Sequence, residues 1–346
     1  MKDQFKKKLN LLLPFIGLIA VILIVTIFIL IKDSSKMSSF YSLFNLKLIL
    51  RQSVIVGIGA LGMTLVIISG GIDLSVGSIV ALGAVVCATV MTAMATGPLD
   101  SNGMLILSEA SVSFGGIVVA LLATVFFCSL VGWLNGVITA KFNMMPFIVT
   151  LGTMQIARGA AKITGNDERV RTPDNGFQSF MDLNPDPEWL FFAPGVWGMI
   201  FLTIIVGLVL KFTVFGRYVY AIGSNEDTAR LCGINVERYK ILIYTLCGLL
   251  TGVAACMAYA NLGTGDPSGN IGMELNIIAA VVIGGASLNG GEGSALGSLI
   301  GALIMAILVN AFTILSIPQA YQEVTIGIVI ILAVGIDKLK HRKAAS

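Results

Sequence analysis

Charge is scarce in this sequence. Asp, Glu, Lys and Arg make up 12% of the 346 residues, about half the share usual in soluble proteins. The AVILMFWYC set reaches 56%, with a mean hydropathy of +0.92. Water cannot be the solvent for so much apolar surface, so most of the chain is expected in lipid. Disorder, collagen and coiled coil are excluded by the same composition. A net charge of +3 from scattered basic residues gives no footprint for nucleic acid. Histidine is nearly missing, with His341 alone in the basic tail. Cys87, Cys128, Cys247 and Cys256 lie in apolar runs, Cys232 sits in a polar stretch, and no CxxC occurs. A zinc centre or a His-based triad therefore lacks raw material, and no metal or cofactor is expected. There is no Walker A loop and not one Gly-Lys dipeptide. If ATP drives this chain, another polypeptide binds it.

What is present is a series of long apolar runs. A spanning helix needs about 20 mostly apolar residues. Candidates fall at roughly 11–31, 47–69, 75–96, 115–140, 145–164, 194–213, 241–261, 274–289, 295–316 and 320–337. The fold class expected is an all-α polytopic membrane protein of about ten transmembrane helices, in one transmembrane domain over 1–346. The first run is too long for a signal-peptide h-region and no A-x-A-like site follows it. The fifth carries Gln155, Arg158 and Lys162, and the second and eighth run into glycine-rich stretches.

Lysine and arginine set the orientation. With the N-terminus inside, Lys2, Lys6, Lys7, Lys8, Lys141, Lys211, Arg217, Arg230, Arg238, Lys240, Lys338, Lys340, Arg342 and Lys343 all fall inside. Segment 165–193 falls outside and is acidic: Asp167, Glu168, Asp174, Asp182, Asp186 and Glu188 oppose only Arg169 and Arg171. Lys32, Lys36, Lys47 and Arg51 break the pattern by falling outside. Both termini are still expected in the cytoplasm. Segment 165–193, with Pro173, Pro185, Pro187 and Trp189, reads as an irregular outer flap.

The inner loop 214–240 has helix punctuation. Ser224 with Asp227 fits the S-x-x-[DE] capping box. Glu226 and Asp227 suit the positive end of a helix dipole, and Gly233 is placed for a left-handed cap. A short helix over 225–232 is expected at the cytoplasmic surface.

Glycine carries two kinds of signal. Gly57-Ile58-Gly59-Ala60-Leu61-Gly62 spells G-x-G-x-x-G, but a dinucleotide site needs a preceding strand, and this run lies in a span, where small residues admit a neighbouring helix. Gly132-x-x-x-Gly136, Gly248-x-x-x-Gly252 and Gly297-x-x-x-Gly301 read the same way. Two other runs interrupt apolar segments: Gly70-Gly71-Ile72-Asp73-Leu74-Ser75-Val76-Gly77-Ser78, and Gly284-Gly285-Ala286-Ser287-Leu288-Asn289-Gly290-Gly291-Glu292-Gly293-Ser294. Both read GG-x-x-L and then Gly-Ser, which suggests an internal repeat. Each is either a broken helix with a gating role or a tight cytoplasmic turn; broken backbone survives at membrane depth only when protein buries it or water lines it. Asp73 is expected to cap a helix beginning near Leu74.

Polar groups within spans are candidates for a pathway: Asn135, Gln155, Arg158, Asn276 and Asn310, with Glu274 at a helix entrance. Hydrogen bonding between helices is the bland reading for the amides, and snorkelling to the outer surface for Arg158 and Lys162. Neutral amides outnumber buried charges, which suits a neutral polyhydroxylated cargo better than an ion.

Three stretches carry a family resemblance. SGGIDLSVGSIVALGAVV (Ser69–Val86), FGRYVYAIGSNEDTARLCGINVERYKILIYTLCGLLTG (Phe215–Gly252) and ELNIIAAVVIGGASLNGGEGSALGSLIGAL (Glu274–Leu303) resemble the permeases of ribose-type sugar ABC transporters. The likeness runs over nearly the whole chain; at the position of Asn276 the family commonly has aspartate. It implies a permease subunit of the bacterial inner membrane that imports a neutral monosaccharide without chemistry of its own. It also implies a second permease copy (homo- or heterodimer), a cytoplasmic ABC ATPase and an extracytoplasmic sugar-binding protein. Phe215–Gly252 is similar to the family's coupling region, which gives Ser224, Asn225, Glu226, Asp227, Arg230, Gly233 and Asn235 an ATPase-coupling role. The alternatives are an ABC permease for nucleosides or branched-chain amino acids, an ion-coupled secondary transporter, and a membrane enzyme; the last lacks a nucleophile–base pair.

Overall fold

The computed structural model describes residues 2–100 and 105–345, with side-chain surroundings over 13–100, 105–332, 334 and 335. Lys2, Lys6, Lys7, Lys8, Lys338, Lys340, His341, Arg342 and Lys343 therefore have side chains outside the described set. The apolar runs form helices α1 (Lys2–Lys32), α2 (Met37–Phe40), α3 (Leu43–Ile68), α4 (Val76–Ala93), α5 (Phe114–Lys141), α6 (Pro146–Thr164) and α7 (Pro194–Phe212). They continue with α8 (Val214–Ser224), α9 (Glu226–Leu231), α10 (Val236–Leu262), α11 (Met273–Ile283), α12 (Ala295–Ile314) and α13 (Gln319–Ala345). Among the described residues, sheet amounts to two short antiparallel pairs, β1 (Ala95–Thr96) with β2 (Ser111–Val112) and β3 (Val170–Arg171) with β4 (Thr264–Gly265), and an isolated bridge between Leu99 and Leu105.

Each of the ten expected spans coincides with a helix. Among the described residues seven helices are long and apolar enough to cross a membrane: α1, α3, α4, α5, α7, α10 and α12. Gln155, Arg158 and Lys162 keep α6 out of that set. α11 differs from the expected 274–289 because Gly285 takes φ +92 and stops it at Ile283. Its 11 residues reach about 16 Å, half of a hydrocarbon core of about 30 Å.

The starts of the helices are written locally. Ser42 Oγ accepts from Asn45 N at 3.1 Å, Ser113 Oγ from Gly116 N at 3.2 Å, and Ser294 Oγ from Gly297 N at 3.1 Å. Pro146 opens α6, where its missing N–H costs nothing.

Contacts group the chain into two compact units: Met1–Gly71, Met199–Val236 and Leu275–Ser346 form one, and Ile72–Gly198 and Glu237–Glu274 the other. In the first, α3 and α1 pack against α12. Val25, Ile29, Ile49, Ala306, Ile307 and Ala311 form its buried cluster. Two polar pairs cross the α3–α12 seam, Thr64 Oγ1 to Ser298 Oγ at 2.6 Å and Asn310 Nδ2 to Asn45 Oδ1 at 2.8 Å. The GIGALG run is buried helix in α3, with Gly57 facing Met199 and Ala302. Gly301 lies against the Ala280 carbonyl. Lys32, one of the charges that broke the orientation pattern, donates to Leu315 O at 3.3 Å and so caps the end of α12.

In the second unit α4 packs on α5 and α6 through Ile79, Leu82, Val85, Cys128, Ala157 and Ala161. α5 and α10 cross where their two G-x-x-x-G runs meet. A Cβ on Gly132 would lie 2.9 Å from Gly248 Cα, and one on Gly248 3.0 Å from Gly132 Cα. Only backbone fits there, and close approach is how small residues hold helices together in lipid. The flap 165–193 carries 3-10 turns at Gly176–Met181 and Glu188–Leu190, with Phe177 and Met181 buried beneath it. It is tied to α10 by Tyr259, whose hydroxyl pairs with Thr172 Oγ1 at 2.7 Å and accepts from Asn175 Nδ2 at 2.8 Å.

Candidate functional site

The coupling candidates lie on α8, α9 and the start of α10, in the first unit. Ser224 is the last residue of α8 and does not cap α9, a correction to the expected capping box. The cap is Asn225, which is extended (φ −161, ψ 108) and accepts from Thr228 N through Oδ1 at 2.8 Å. The helical turn of Ser224 belongs to α8, so its hydroxyl is one residue too early. Asn serves as well as Ser at that position. Glu226 and Asp227 occupy the first turn, and Glu226 pairs with Arg230 at 2.9 Å. Gly233 has φ +82 and donates to Arg230 O at 3.0 Å, while Ile234 N reaches Ala229 O at 3.1 Å. These two bonds are a Schellman motif. Ser224, Asn225, Asp227, Arg230, Gly233 and Asn235 are exposed, Ala229 is buried, and Leu231 is 88% exposed.

α8 fixes this knob to the unit. Gly223 lies so close to Ile68 O and Gly291 N that a Cβ has no room. Gly291 N donates to that same Ile68 carbonyl at 2.8 Å. Tyr220 donates its hydroxyl to Gly293 O at 2.8 Å, and burial pushes the Tyr220 hydroxyl above its ordinary pKa, so it stays a donor. The end of α3, the end of α8 and the second glycine break therefore meet at one junction. Ile68, Tyr220 and Gly223 are not among the residues expected from sequence, and Gly223 is the one whose side-chain-free spelling hints at it.

The two glycine breaks stop their helices by one device. Gly70 has φ +83; Gly70 N reaches Ile67 O and Gly71 N reaches Val66 O, both at 2.9 Å. Gly285 N reaches Val282 O at 2.9 Å and Ala286 N reaches Val281 O at 3.1 Å. The left-handed residues are thus Gly70 and Gly285, one position off the GG-on-GG match. After the stop, Asp73 accepts from Ser75 N at 2.9 Å, and Ser287 Oγ accepts from Asn289 N at 3.3 Å. Gly284 faces Gly297 across α12, and Gly290 faces Gly223.

Asp73, in the second unit, does not cap a helix from Leu74. α4 begins at Val76, with Ser75 in the cap position. The carboxylate is buried and accepts from both the amide and the hydroxyl of Ser75. Asn135 Nδ2 donates to Ser75 Oγ at 3.0 Å and Thr153 Oγ1 to Asn135 Oδ1 at 2.6 Å. Thr150 Oγ1 accepts from Leu74 N at 3.1 Å. One polar cluster thereby ties the start of α4 to α5 and α6. The buried Tyr244 hydroxyl lies within reach of the Asp73 charge and has no hydrogen-bond partner.

A third break is not among the expectations drawn from sequence. α10 ends at Gly263 (φ +66), and the chain passes through Asn270 (φ +58) and Gly272 (φ +77) before α11. A Cβ on Gly265 would sit 2.7 Å from Val85 Cα, at the middle of α4, and one on Gly77 would meet the Glu274 carboxylate and lie 3.1 Å from Asn270 O. Residues 265–274 thus run beside α4 from Val85 to Gly77, about 12 Å along its axis. The signal in the sequence is Gly263-Thr264-Gly265-Asp266-Pro267-Ser268-Gly269-Asn270, a turn-rich run between two spans.

The pathway candidates divide around this segment. Arg158 does not snorkel away; Nη1 donates to Pro267 O at 3.2 Å and Gly269 O at 2.6 Å. Its charge interacts with those of Glu274 and Asp266. Glu274 Oε2 is buried and has no hydrogen-bond partner. Asn135 uses both ends of its amide in the bonds between helices given above, while Asn310 donates Nδ2 to Asn45 and keeps Oδ1 buried without a partner. Gln155 is exposed on α6 and Asn276 half-buried on α11. Lys162 pairs at 3.5 Å with Asp167, both exposed. Among the described residues no group of three or more His, Cys, Asp or Glu side chains is placed to hold a metal ion.

Replacing Asp73 by alanine should strand the Ser75 donors and cost about 1–3 kcal/mol. Asparagine, which keeps one acceptor oxygen, should cost less. Thermal unfolding in detergent checks the order Asp73 > Asp73→Asn > Asp73→Ala.

Comparison with known proteins places this architecture. The chain is 37% identical over 330 residues to the ribose import permease protein RbsC of Escherichia coli (strain K12), covering 92% of this chain and 93% of that one. It is 37% identical over 329 residues to RbsC of Bacillus subtilis (strain 168), covering 94% and 92%. To the L-arabinose ABC transporter permease protein AraH of Azospirillum brasilense it is 34% identical over 299 residues, covering 86% and 81%. No solved structure matches. The model of one family, described as the branched-chain amino acid transport system / permease component, matches residues 45–334, and the chain belongs to that family of multi-pass membrane permeases.

Proposed function

We propose that this chain is the membrane-spanning subunit of an ABC importer in the bacterial inner membrane, passing a neutral monosaccharide such as ribose. The likeness over nine-tenths of the chain to permeases named for ribose carries this reading. In it the chain performs no chemistry. A separate cytoplasmic ATPase drives it, a second permease copy completes the pathway, and a binding protein delivers the sugar to the outer face. Both termini and α9 lie in the cytoplasm, and the exposed acids of the 165–193 flap meet the binding protein.

The geometry supports a mechanical role for α9. It is capped at both ends, exposes Leu231 to a partner, and continues through α8 to the junction of Gly223, Ile68 and Gly291. A push on α9 then reaches the end of α3 and the 284–294 break without passing through a flexible linker. On the pathway, Arg158, the Glu274 carboxylate and the carbonyls of 267–269 offer donors and acceptors suited to hydroxyl groups. Broken helices place polar backbone where cargo passes in other transporters.

A second reading, a permease for a branched-chain amino acid, is favoured by the family's own description. Vesicles holding the assembled importer and its binding protein distinguish the two: ribose should be taken up with ATP and leucine should not. ATP-dependent leucine uptake without sugar uptake would exchange the readings. Substituting Glu226→Lys with Asp227→Lys, or Gly233→Val, should separate ATP hydrolysis from uptake, lowering transport about tenfold or more while ATPase activity persists; a cost of about 1.4 kcal/mol suffices. Normal uptake with normal ATPase stimulation in both variants would remove α9 from the coupling role. Cys232 is exposed and the other four cysteines are buried, so an impermeant maleimide should label the native chain in inverted vesicles and not in right-side-out ones. The reverse pattern overturns the orientation.

A further inference from the structure

A cavity of about 1010 Å³ opens within the first unit, where Leu13 and Pro14 of α1, the end of α7, the start of α8 and the second glycine break come together. Its wall is of two kinds. Leu13, Pro14, Leu210 and Leu296 give it apolar surface, and Leu13 and Leu296 remain 51% and 42% exposed. Lys211 and Arg217, both exposed, bring two positive charges to the same space, against one carboxylate from Glu292. The backbone of Gly284 and Gly285 and the start of α12 at Ser294 and Ala295 complete it.

The level of the cavity follows from its parts. Leu13 lies near the beginning of the apolar run 11–31, Lys211 is in the last turn of α7, and Ser294 caps α12. These are ends of membrane-crossing helices, where hydrocarbon gives way to headgroups. A small soluble anion would leave the four apolar residues without a partner. A zwitterionic lipid would leave the excess positive charge uncompensated. A molecule with a phosphate on one side and acyl chains on the other matches both halves, and basic pockets between spanning helices on the cytoplasmic side bind anionic headgroups. We propose that this cavity is a site for an anionic phospholipid, with the phosphate held by Lys211 and Arg217 and the upper acyl chain lying on Leu13, Leu210 and Leu296.

The test uses the full chain in nanodiscs of phosphatidylcholine containing phosphatidylglycerol, with retained lipid counted by native mass spectrometry after detergent stripping. The wild type should keep phosphatidylglycerol in preference to phosphatidylcholine and gain thermal stability from it. Lys211→Gln with Arg217→Gln should reduce the retained phosphatidylglycerol about thirtyfold, at about 1 kcal/mol per basic residue near the surface. Lys211→Arg with Arg217→Lys should retain it. Equal retention of the two lipids by the wild type overturns the site, and that arm needs no variant to fold. Equal phosphatidylglycerol retention by wild type and the Gln variant overturns it too. The same stabilisation by inorganic phosphate alone would mean a soluble anion, and would overturn the lipid assignment.

Discussion

A protein interior supplies no water, so a helix that stops where it is buried must find partners for its last carbonyls within the protein. Much of this architecture follows from how the end of α3 meets that demand. Gly70 and Gly71 turn back onto Ile67 and Val66, and Ile68 O is left for an outside donor. Gly291 N supplies it from the second break, and Gly223 lets α8 come close enough to cover the bond. A satisfied backbone thus has a mechanical consequence, because α8 cannot be displaced from Gly223 without uncovering a buried carbonyl. A buried backbone group left without a partner costs about 1–3 kcal/mol, which makes the junction stiff.

The polar side chains divide by whether they tie one helix to another. Thr64 with Ser298, Asn45 with Asn310, and Asn135 with Ser75 and Thr153 tie helices to one another. Such bonds contribute about 0.6–2 kcal/mol each in membranes, and the glycine crossings of α5 with α10 provide the close packing around them. Arg158 and Glu274 differ. The guanidinium rests on two carbonyls with donors to spare, and one carboxylate oxygen is buried without a partner. On the proposed sugar pathway, such groups beside an irregular segment would suit a transient, weak contact with a polar cargo.

Spans, small-residue seams and the position of α9 are legible in the sequence, because each rests on a local rule: apolar length, G-x-x-x-G spacing, and an acidic first turn ahead of a glycine stop. The places of difference are those where a local rule has two solutions. Ser224 and Asn225 are both good caps, and the choice turned on how far α8 runs. Asp73 has the chemistry of a helix cap, but its bonds are set by Ser75 and, through it, by Asn135 on a helix some sixty residues away. The 263–272 break shows the limit most clearly. Its composition says turn, and only its packing along α4, from Val85 to Gly77, says that the turn runs beside the helix instead of standing clear of it.

α9 poses a final physical question, since six residues are far below the 12–15 at which an isolated helix becomes marginal in water. Burial contributes little, Ala229 being its one buried residue. Its order comes from the ends: the Asn225 cap, the Gly233 Schellman pair and the Glu226–Arg230 bridge account for most of what a short helix lacks. A cap contributes about 1 kcal/mol and an exposed i,i+4 pair about 0.3–0.5 kcal/mol, enough together to hold one and a half turns that already have a fixed seat on α8. The helix is therefore shaped before any partner arrives, and a partner that grips Leu231 loses little of its binding energy to ordering it. In the proposed coupling role, that stored order would let a contact made at the tip of α9 act on the end of α3 as a displacement instead of being spent on folding the helix.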